Sequence, residues 1–221
     1  MRENERVTLA GLREEYTLGG LDESDLDPDP IVMLQQWMEA AINAGLYDPT
    51  AMVVSTVAAT GRPSSRLVLL KGLGADGLVF FTNYSSRKGE ELAGQQGCSV
   101  VFPWHPLQRQ VRVEGFATRL SDEENDAYFA SRPHESQLGA WASPQSKVVP
   151  SREALDGRYA EAATRFGNGP VARPPYWGGY RIAPDTFEFW QGRQGRLHDR
   201  FRYRSSPTTP DRPWHVERLA P

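Results

Sequence analysis

Apolar positions along the chain change period early, from a helical spacing to short β-like runs. In "DPIVMLQQWMEAAINAGL", Ile31, Leu34, Trp37, Met38, Ala41 and Ile42 recur every three or four residues, which places them on one face of a helix. Pro30 suits the first turn, where a missing N–H costs nothing. The segment reads as a surface helix with one buried stripe. After it come "AMVVSTVAA", "SSRLVLLKG", "GLVFFTN", "CSVVFPW" and "RQVRVEGFATRL", β-branched or aromatic runs divided by turns such as "TGRP" and "GADG". Closely spaced strands of this kind predict an antiparallel barrel or sandwich.

Three further helices interrupt the β pattern. "SSRKGEELAGQQ" opens on serines, "SDEENDAYFASR" sets Ser121 three residues before Glu124 as in a capping box, and "SREALDGRYAEAATRF" follows. "GNGPVARPP" reads as a loop. The chain closes on "GGYRIAPDTFEFW", "RLHDRFRYR" and "WHVERLAP", with "SSPTTPDRP" as the hairpin tip between the last two. No internal repeat is visible. A chain of 221 residues, 39% hydrophobic and 24% charged, fits one mainly β domain with flanking helices over residues 30–221, preceded by a flexible polar arm, 1–29.

The net charge of -3 gives no case for a nucleic-acid partner. Its distribution is more telling. Residues 1–30 hold three Arg against nine acidic residues, and residues 173–221 hold nine Arg against five. An anion site should therefore draw on the C-terminal region. Cys98, the only cysteine, excludes an internal disulfide and sits in "CSVVF" as a packed thiol; no Cys/His cluster suggests zinc. "MRENERVTLAGLREEY" lacks the apolar stretch of a secretory signal, and no run approaches membrane-spanning length, so a cytoplasmic protein without a membrane partner is expected. The sequon Asn83-Tyr84-Ser85 then carries no meaning.

Cations recur where anions would be held. Arg66 and Lys71 bracket four aliphatics in a buried-looking strand; either each serves an anion, or both sit at strand ends and snorkel to water. Arg87 and Lys88 fall at a helix N-terminus, whose free N–H groups favour phosphate, or are simply solvated. Tyr128, Arg132 and Ser136 are spaced four apart across Pro133, so their grouping depends on a helix-to-helix turn; all three can donate to a phosphate monoester. Gln145 and Ser146 follow in a loop. Finally, Arg196, His198 and Arg200 alternate after Trp190. On a strand they share one face, where like charges repel unless an anion is present.

"FEFWQGRQGRLHDR" resembles the characteristic segment of the pyridoxamine (pyridoxine) 5'-phosphate oxidase family: E-F-W-Q-G, three variable residues, then R-L-H-D-R. "LREEYTLGGL", "DPTAMVVSTV", "RLVLLKG", "TNYSSRKGEEL", "FPWHPLQRQVRVEG", "SRPHESQLGAWAS" with "QS", "WGGYRI" and "RLAP" are similar to family blocks in family order. The resemblance implies an FMN-binding split β-barrel, a homodimer with FMN at the subunit interface, and oxidation of pyridoxamine or pyridoxine 5'-phosphate to pyridoxal 5'-phosphate. Hydride would pass from the substrate C4' to the flavin, and O2 would become hydrogen peroxide.

By matching motif, the implied FMN contacts are Arg66, Leu67, Val68, Leu69, Leu70, Lys71, Phe81, Thr82, Arg87, Lys88, Gln145 and Ser146, with Gln110, Trp190 and Arg200 on the remainder of the cofactor. Lys71, Tyr128, Arg132 and Ser136 would hold the substrate phosphate. Arg196, Leu197 and His198 would cover the pyridine ring, Arg196 orienting the reacting carbon and His198 positioning the ring, while Arg13 and Tyr16 belong to the arm that closes over the substrate. Two rivals remain at this level: a related flavin oxidase acting on another aromatic substrate such as a phenazine precursor, and a non-catalytic flavin or pyridoxal phosphate carrier.

Overall fold

The computed structural model describes residues 15–205 and 214–221. Arg13 and most of the expected hairpin tip lie outside the described residues. Helix α1 spans Pro30–Asn43, and the Asp29 side chain caps it by accepting the Ile31 N–H at 2.8 Å. Its stripe is buried as expected, with Met33 added and one exception: Ile42, in the last turn, is 53% exposed. Gly45 (φ 69°) turns the chain there, and Leu46 packs against the core instead.

The strands are β1 (Ala51–Val57), β2 (Pro63–Leu69), β3 (Gly72–Gly74), β4 (Gly77–Asn83), β5 (Gly97–Trp104), β6 (Arg109–Arg119), β7 (Trp177–Gln191), β8 (Asp199–Ser205) and β9 (Trp214–Arg218). They form one sheet in the order β2-β1-β5-β6-β7-β4-β3, with β8 on β7 and β9 on β8. Every pairing is antiparallel. Strand β7 divides the sheet. It keeps β6 along one side, but its first part pairs with β4 (Trp177–Ile182) and its last part with β8 (Thr186–Gln191). The change of neighbour coincides with Pro184, which cannot donate to a ladder, and with a bulge at Glu114/Gly115 of β6. A Cβ on Gly115 would stand 2.2 Å from the Ala183 carbonyl, so only glycine fits that bend.

Aromatic and aliphatic side chains from both halves fill the interior, including Phe80, Phe102, Phe187, Phe189, Phe201 and Tyr203. Trp37 of α1 meets Phe189 edge-on at 5.2 Å, which seats the helix on this core. Cys98, on β5, has its thiol pushed up to about 12 by burial and then by Asp185, consistent with a packed and unreactive group.

Helices α2 (Arg87–Gly94), α3 (Asp122–Ser131), α4 (His134–Ala142) and α5 (Arg152–Phe166) flank the sheet. Ser86 caps α2, Ser151 caps α5, and the Ser121–Glu124 capping box closes in both directions. Pro133 separates α3 from α4, and Phe129, Leu138, Ala140, Ala162, Val171 and Trp177 form a second, smaller core beside them. No helix among the described residues is long and apolar enough to cross a membrane.

Two sequence expectations need correction. β2 is not buried: it pairs only with β1 in the sheet, and Leu67 and Leu69 are 66% and 39% exposed. Its three aliphatics, Leu67, Val68 and Leu69, report a half-covered edge rather than an interior strand, and only Leu70, just beyond it, is buried. Nor do Arg196, His198 and Arg200 share one strand face. β8 begins only at Asp199, while Arg196 ends a short turn of 3-10 helix at Gln194–Arg196 with φ 64°. Gly195 also has positive φ, and two such residues in succession cannot continue a strand.

Candidate active site

A cavity of about 640 Å³ opens between β2, β4 and the α3–α4 turn. Three cations line it, Lys71, Lys88 and Arg132, and among the described residues no carboxylate does. The cause is local. Ser86 ends the approach to α2 and places Lys88 in the first turn, where the side chain runs inward and is only 7% exposed. Its ammonium donates to Thr82 Oγ1 at 3.0 Å, Gln145 Oε1 at 3.0 Å and Ser86 Oγ at 3.3 Å. All three acceptors are neutral. Burial, and then the neighbouring Arg66, lower the Lys88 pKa from its ordinary value to about 8. An anion in the cavity would compensate this buried charge.

Tyr128, Arg132 and Ser136 meet in the same cavity, because the Pro133 break lets α3 and α4 present them together. Phe81 and Tyr128 stack face to face, with centroids 3.7 Å apart and planes 7° apart, and Trp177 continues the parallel arrangement at 5.5 Å from Phe81. Arg132 lies over the Trp177 ring at 4.5 Å. One guanidinium nitrogen, Nη1, is buried and has no hydrogen-bond partner among the described residues. Burial raises the Tyr128 pKa, which keeps the phenol a proton donor. Leu67, Val68 and Leu69 complete an apolar wall.

Glu91 stands behind this cluster, and sequence reasoning missed it. It is 8% exposed and accepts hydrogen bonds from Thr56 at 2.5 Å, Ser64 at 2.6 Å and Arg87 at 2.8 Å, with Arg66 at 3.4 Å. Burial alone would raise its pKa, but the donors Ser64, Thr56 and Arg87 outweigh it and hold the carboxyl at about 2. Arg66 is thereby fixed on β2, also donating to Thr56 at 2.6 Å and Ser64 at 2.5 Å. The signal was weak: Glu91 is one of two consecutive glutamates on α2, and nothing in the sequence marks which turns inward.

The remaining residues expected at the cofactor gather elsewhere. Gln110 of β6 lies opposite Trp190 of β7, which lies opposite Arg200 of β8, so the three form a cross-strand row on one sheet face. Glu188, another buried carboxylate missed in sequence, accepts from Arg200 Nε at 2.9 Å and lies 2.9 Å from Arg112 Nη2. Arg200 also donates to the Ala220 carbonyl at 2.8 Å. His198 packs against Trp190 at 4.6 Å, and Tyr16 meets both rings edge-on at 5.6 and 5.3 Å. His198 Nδ1 accepts the Arg193 N–H at 3.1 Å, which leaves the ring proton on Nε2 in the neutral form. Burial, then Arg196, lower its pKa, which favours the neutral ring.

The expected residues thus divide into two groups. Leu67, Val68, Leu69, Lys71, Phe81, Thr82, Lys88, Tyr128, Arg132, Ser136 and Gln145 line the first cavity. Arg66 and Arg87 lie beside it through Glu91, and Ser146 follows Gln145 on an exposed turn with φ 69°. Leu70 turns into the core and is 7% exposed, so its side chain is not a lining group. The Trp190 group does not line that cavity; Tyr16 and Leu197 line another of about 600 Å³, and Arg196 is exposed at its turn.

The split antiparallel sheet with flanking helices is the fold of the flavin-binding split barrels, and it carries a cationic, aromatic-walled cavity. Comparison with known proteins narrows it. A family model described as pyridoxamine 5'-phosphate oxidase matches residues 38–166, and one described as the pyridoxine 5'-phosphate oxidase C-terminal dimerisation region matches residues 177–221. A pyridoxine/pyridoxamine 5'-phosphate oxidase of Rubrobacter xylanophilus is 54% identical over all of both chains, and one of a Nocardioides species is 56% identical over 97% of this chain and 99% of that protein. Among solved structures, PhzG of Burkholderia lata 383, in complex with tetrahydrophenazine-1-carboxylic acid, superposes with a TM-score of 0.83 at 32% identity, covering 90% of this chain and 95% of that one. An FMN-binding, pyridoxamine 5'-phosphate oxidase-related protein of Nostoc punctiforme shares the fold at a TM-score of 0.68 and 17% identity, over 89% of this chain and all of that one. The chain belongs to the pyridoxine/pyridoxamine 5'-phosphate oxidase family.

Proposed function

We propose that the protein oxidises pyridoxamine 5'-phosphate, pyridoxine 5'-phosphate or both to pyridoxal 5'-phosphate, using FMN and O2, and that it does so as a homodimer. One observation carries the reading: Lys71, Lys88 and Arg132 share a cavity without a carboxylate, and both a buried ammonium and a buried guanidinium nitrogen lack an anionic partner among the described residues. Two phosphates, one from the cofactor and one from the substrate, match that demand.

Bound FMN would supply the redox chemistry, accepting a hydride equivalent from the substrate C4' and returning the electrons to O2 as hydrogen peroxide. The protein's part is placement. Lys88, Thr82 and Gln145 would hold the flavin phosphate, with Arg66 and Arg87, braced by Glu91, at its edge. Lys71, Tyr128, Arg132 and Ser136 hold the substrate phosphate. The row Gln110, Trp190 and Arg200 would reach the flavin from a second subunit, which would unite two groups that a single chain keeps in separate places. Arg196, Leu197 and His198 would then cover the pyridine ring, with Arg196 orienting C4', and Tyr16 would help to shut out water. His198, neutral and fixed through Nδ1, orients the ring rather than taking up a proton.

The likeness to PhzG supports a second reading, oxidation of an unphosphorylated aromatic acid. The substrate-side set Lys71, Tyr128, Arg132 and Ser136 favours the phosphorylated vitamers. An oxygen-uptake assay with each phosphorylated vitamer and with a reduced phenazine acid separates the two. Pyridoxal phosphate formation by a yellow protein is the expected result; a protein that gains neither colour nor activity when FMN is added would end the enzyme reading.

A further inference from the structure

His198 is held from two sides, and neither contact comes from a regular element. The Arg193 N–H reaches Nδ1 at 3.1 Å, and the Tyr16 ring meets the imidazole edge-on at 5.3 Å. Arg193 and Tyr16 both lie in irregular segments. Something outside those segments must fix them.

Asp199, the first residue of β8, does so. It is 5% exposed, and its carboxylate gathers three segments remote in sequence. Oδ2 accepts the Leu21 N–H at 2.9 Å and the Arg193 guanidinium at 3.2 Å, and Oδ1 accepts from Arg218 of β9 at 2.8 Å. Arg218 also donates to Glu23 at 2.9 Å and Asp22 at 3.3 Å, so the segment after Tyr16 is gripped both directly and through β9. Gln108 holds the other end, its Oε1 accepting the N–H groups of Thr17 at 2.8 Å and Leu18 at 3.0 Å. The fit is close. A Cβ on Gly20 would stand 2.8 Å from the Arg193 guanidinium and 3.2 Å from the Asp199 carboxylate, and one on Gly192 would stand 2.8 Å from the Tyr16 ring.

We propose that Asp199 is a positioning residue for the substrate side of the site. By seating the Tyr16–Leu21 segment and the Arg193 turn together, it brings the Tyr16 ring and the Arg193 N–H onto His198 and holds that ring against Trp190. The proposal rests on the reading of Tyr16 and His198 as substrate contacts. It places the role of Asp199 on the substrate side, since the groups it seats, Tyr16 and Arg193, line the second cavity, and the proposed flavin-phosphate contacts Lys88, Thr82 and Gln145 line the first.

The test uses the FMN-loaded enzyme and steady-state kinetics with pyridoxamine 5'-phosphate and pyridoxine 5'-phosphate. Asp199→Ala is expected to raise KM about tenfold or more, with kcat and flavin content close to wild type. Asp199→Asn, which keeps an acceptor for the Leu21 N–H but no charge for the two arginines, should fall between. Gly192→Ala crowds Tyr16 without touching Asp199 and should reproduce the KM rise, which keeps the comparison open if Asp199→Ala does not fold. In the double variant Tyr16→Ala/Asp199→Ala, KM should be no higher than in the worse single variant, because both act through the same seat. An unchanged KM in Asp199→Ala, flavin loss as its only defect, or KM effects that multiply in the double variant would overturn the positioning role. Turnover by the wild type in the same assay tests the proposed function separately.

Discussion

The ammonium of Lys88 lies 3.0 Å from the side-chain oxygen of Gln145, a contact that spans 57 residues of chain and contains no negative charge. The sign of its pH dependence follows. With the folded pKa lowered to about 8 from an ordinary 10.5, the unfolded chain binds more protons between those values. The buried charge therefore penalises the apoprotein below about pH 8, and the penalty is relieved as pH rises toward 10.5. Flavin affinity should move the opposite way, falling above about pH 8 as the ammonium is lost. Thermal melts of the apoprotein and flavin-fluorescence titrations from pH 7 to pH 10 check both trends. Lys88→Met should weaken FMN binding by roughly ten- to a hundredfold while leaving the apoprotein at least as stable.

Arg66 and Arg196 separate cofactor from substrate. Arg66→Ala removes the guanidinium that Glu91 holds beside the first cavity, and FMN affinity should fall about tenfold or more. Arg196→Ala alters an exposed turn beside His198, so FMN should stay bound while turnover falls by about two orders of magnitude. Flavin titration and single-turnover reduction under anaerobic conditions distinguish them. Equal flavin loss in both variants would refute the division.

Arg132 has a buried nitrogen without a partner among the described residues. Its replacement by Ala should raise KM for the phosphorylated vitamers by roughly ten- to a hundredfold. Any turnover of unphosphorylated pyridoxine should barely change. The ratio of kcat/KM for the two substrates measures the effect directly.

Gly89 lies in the first turn of α2, against the preceding loop. A Cβ there would stand 2.2 Å from the Tyr84 carbonyl, which is backbone and cannot swing aside. Gly89→Ala should destabilise the fold by about 1–3 kcal/mol in urea unfolding, and should weaken FMN binding as well because Arg87 and Lys88 share that turn.

Much of the fold was legible because it is encoded locally. The spacing of Ile31, Leu34, Trp37, Met38 and Ala41, the Ser121–Glu124 box and the β-branched runs each specify an element through neighbours a few residues away. The failures have a common origin. Arg196, His198 and Arg200 alternate as strand residues do, but positive φ at Gly195 and Arg196 interrupts the strand, and alternation alone carries no information about φ. The aliphatics of β2 read as buried because a sequence does not say which strand lies at an edge.

The site divides in the same way. The residue types that meet phosphate, together with the family blocks that order them, are properties of the chain itself. Which carboxylates stand behind the cations is not: Glu91, Glu188 and Asp199 are ordinary acidic residues until folding buries them beside Arg66, Arg200 and Arg218. Nor does the sequence say that Lys88 is enclosed among neutral oxygens or that Tyr16 reaches His198. Local pattern determined the elements and the chemistry on offer. The tertiary structure decided the partners, because burial and charge pairing depend on segments brought together from as far apart as Leu21 and Asp199.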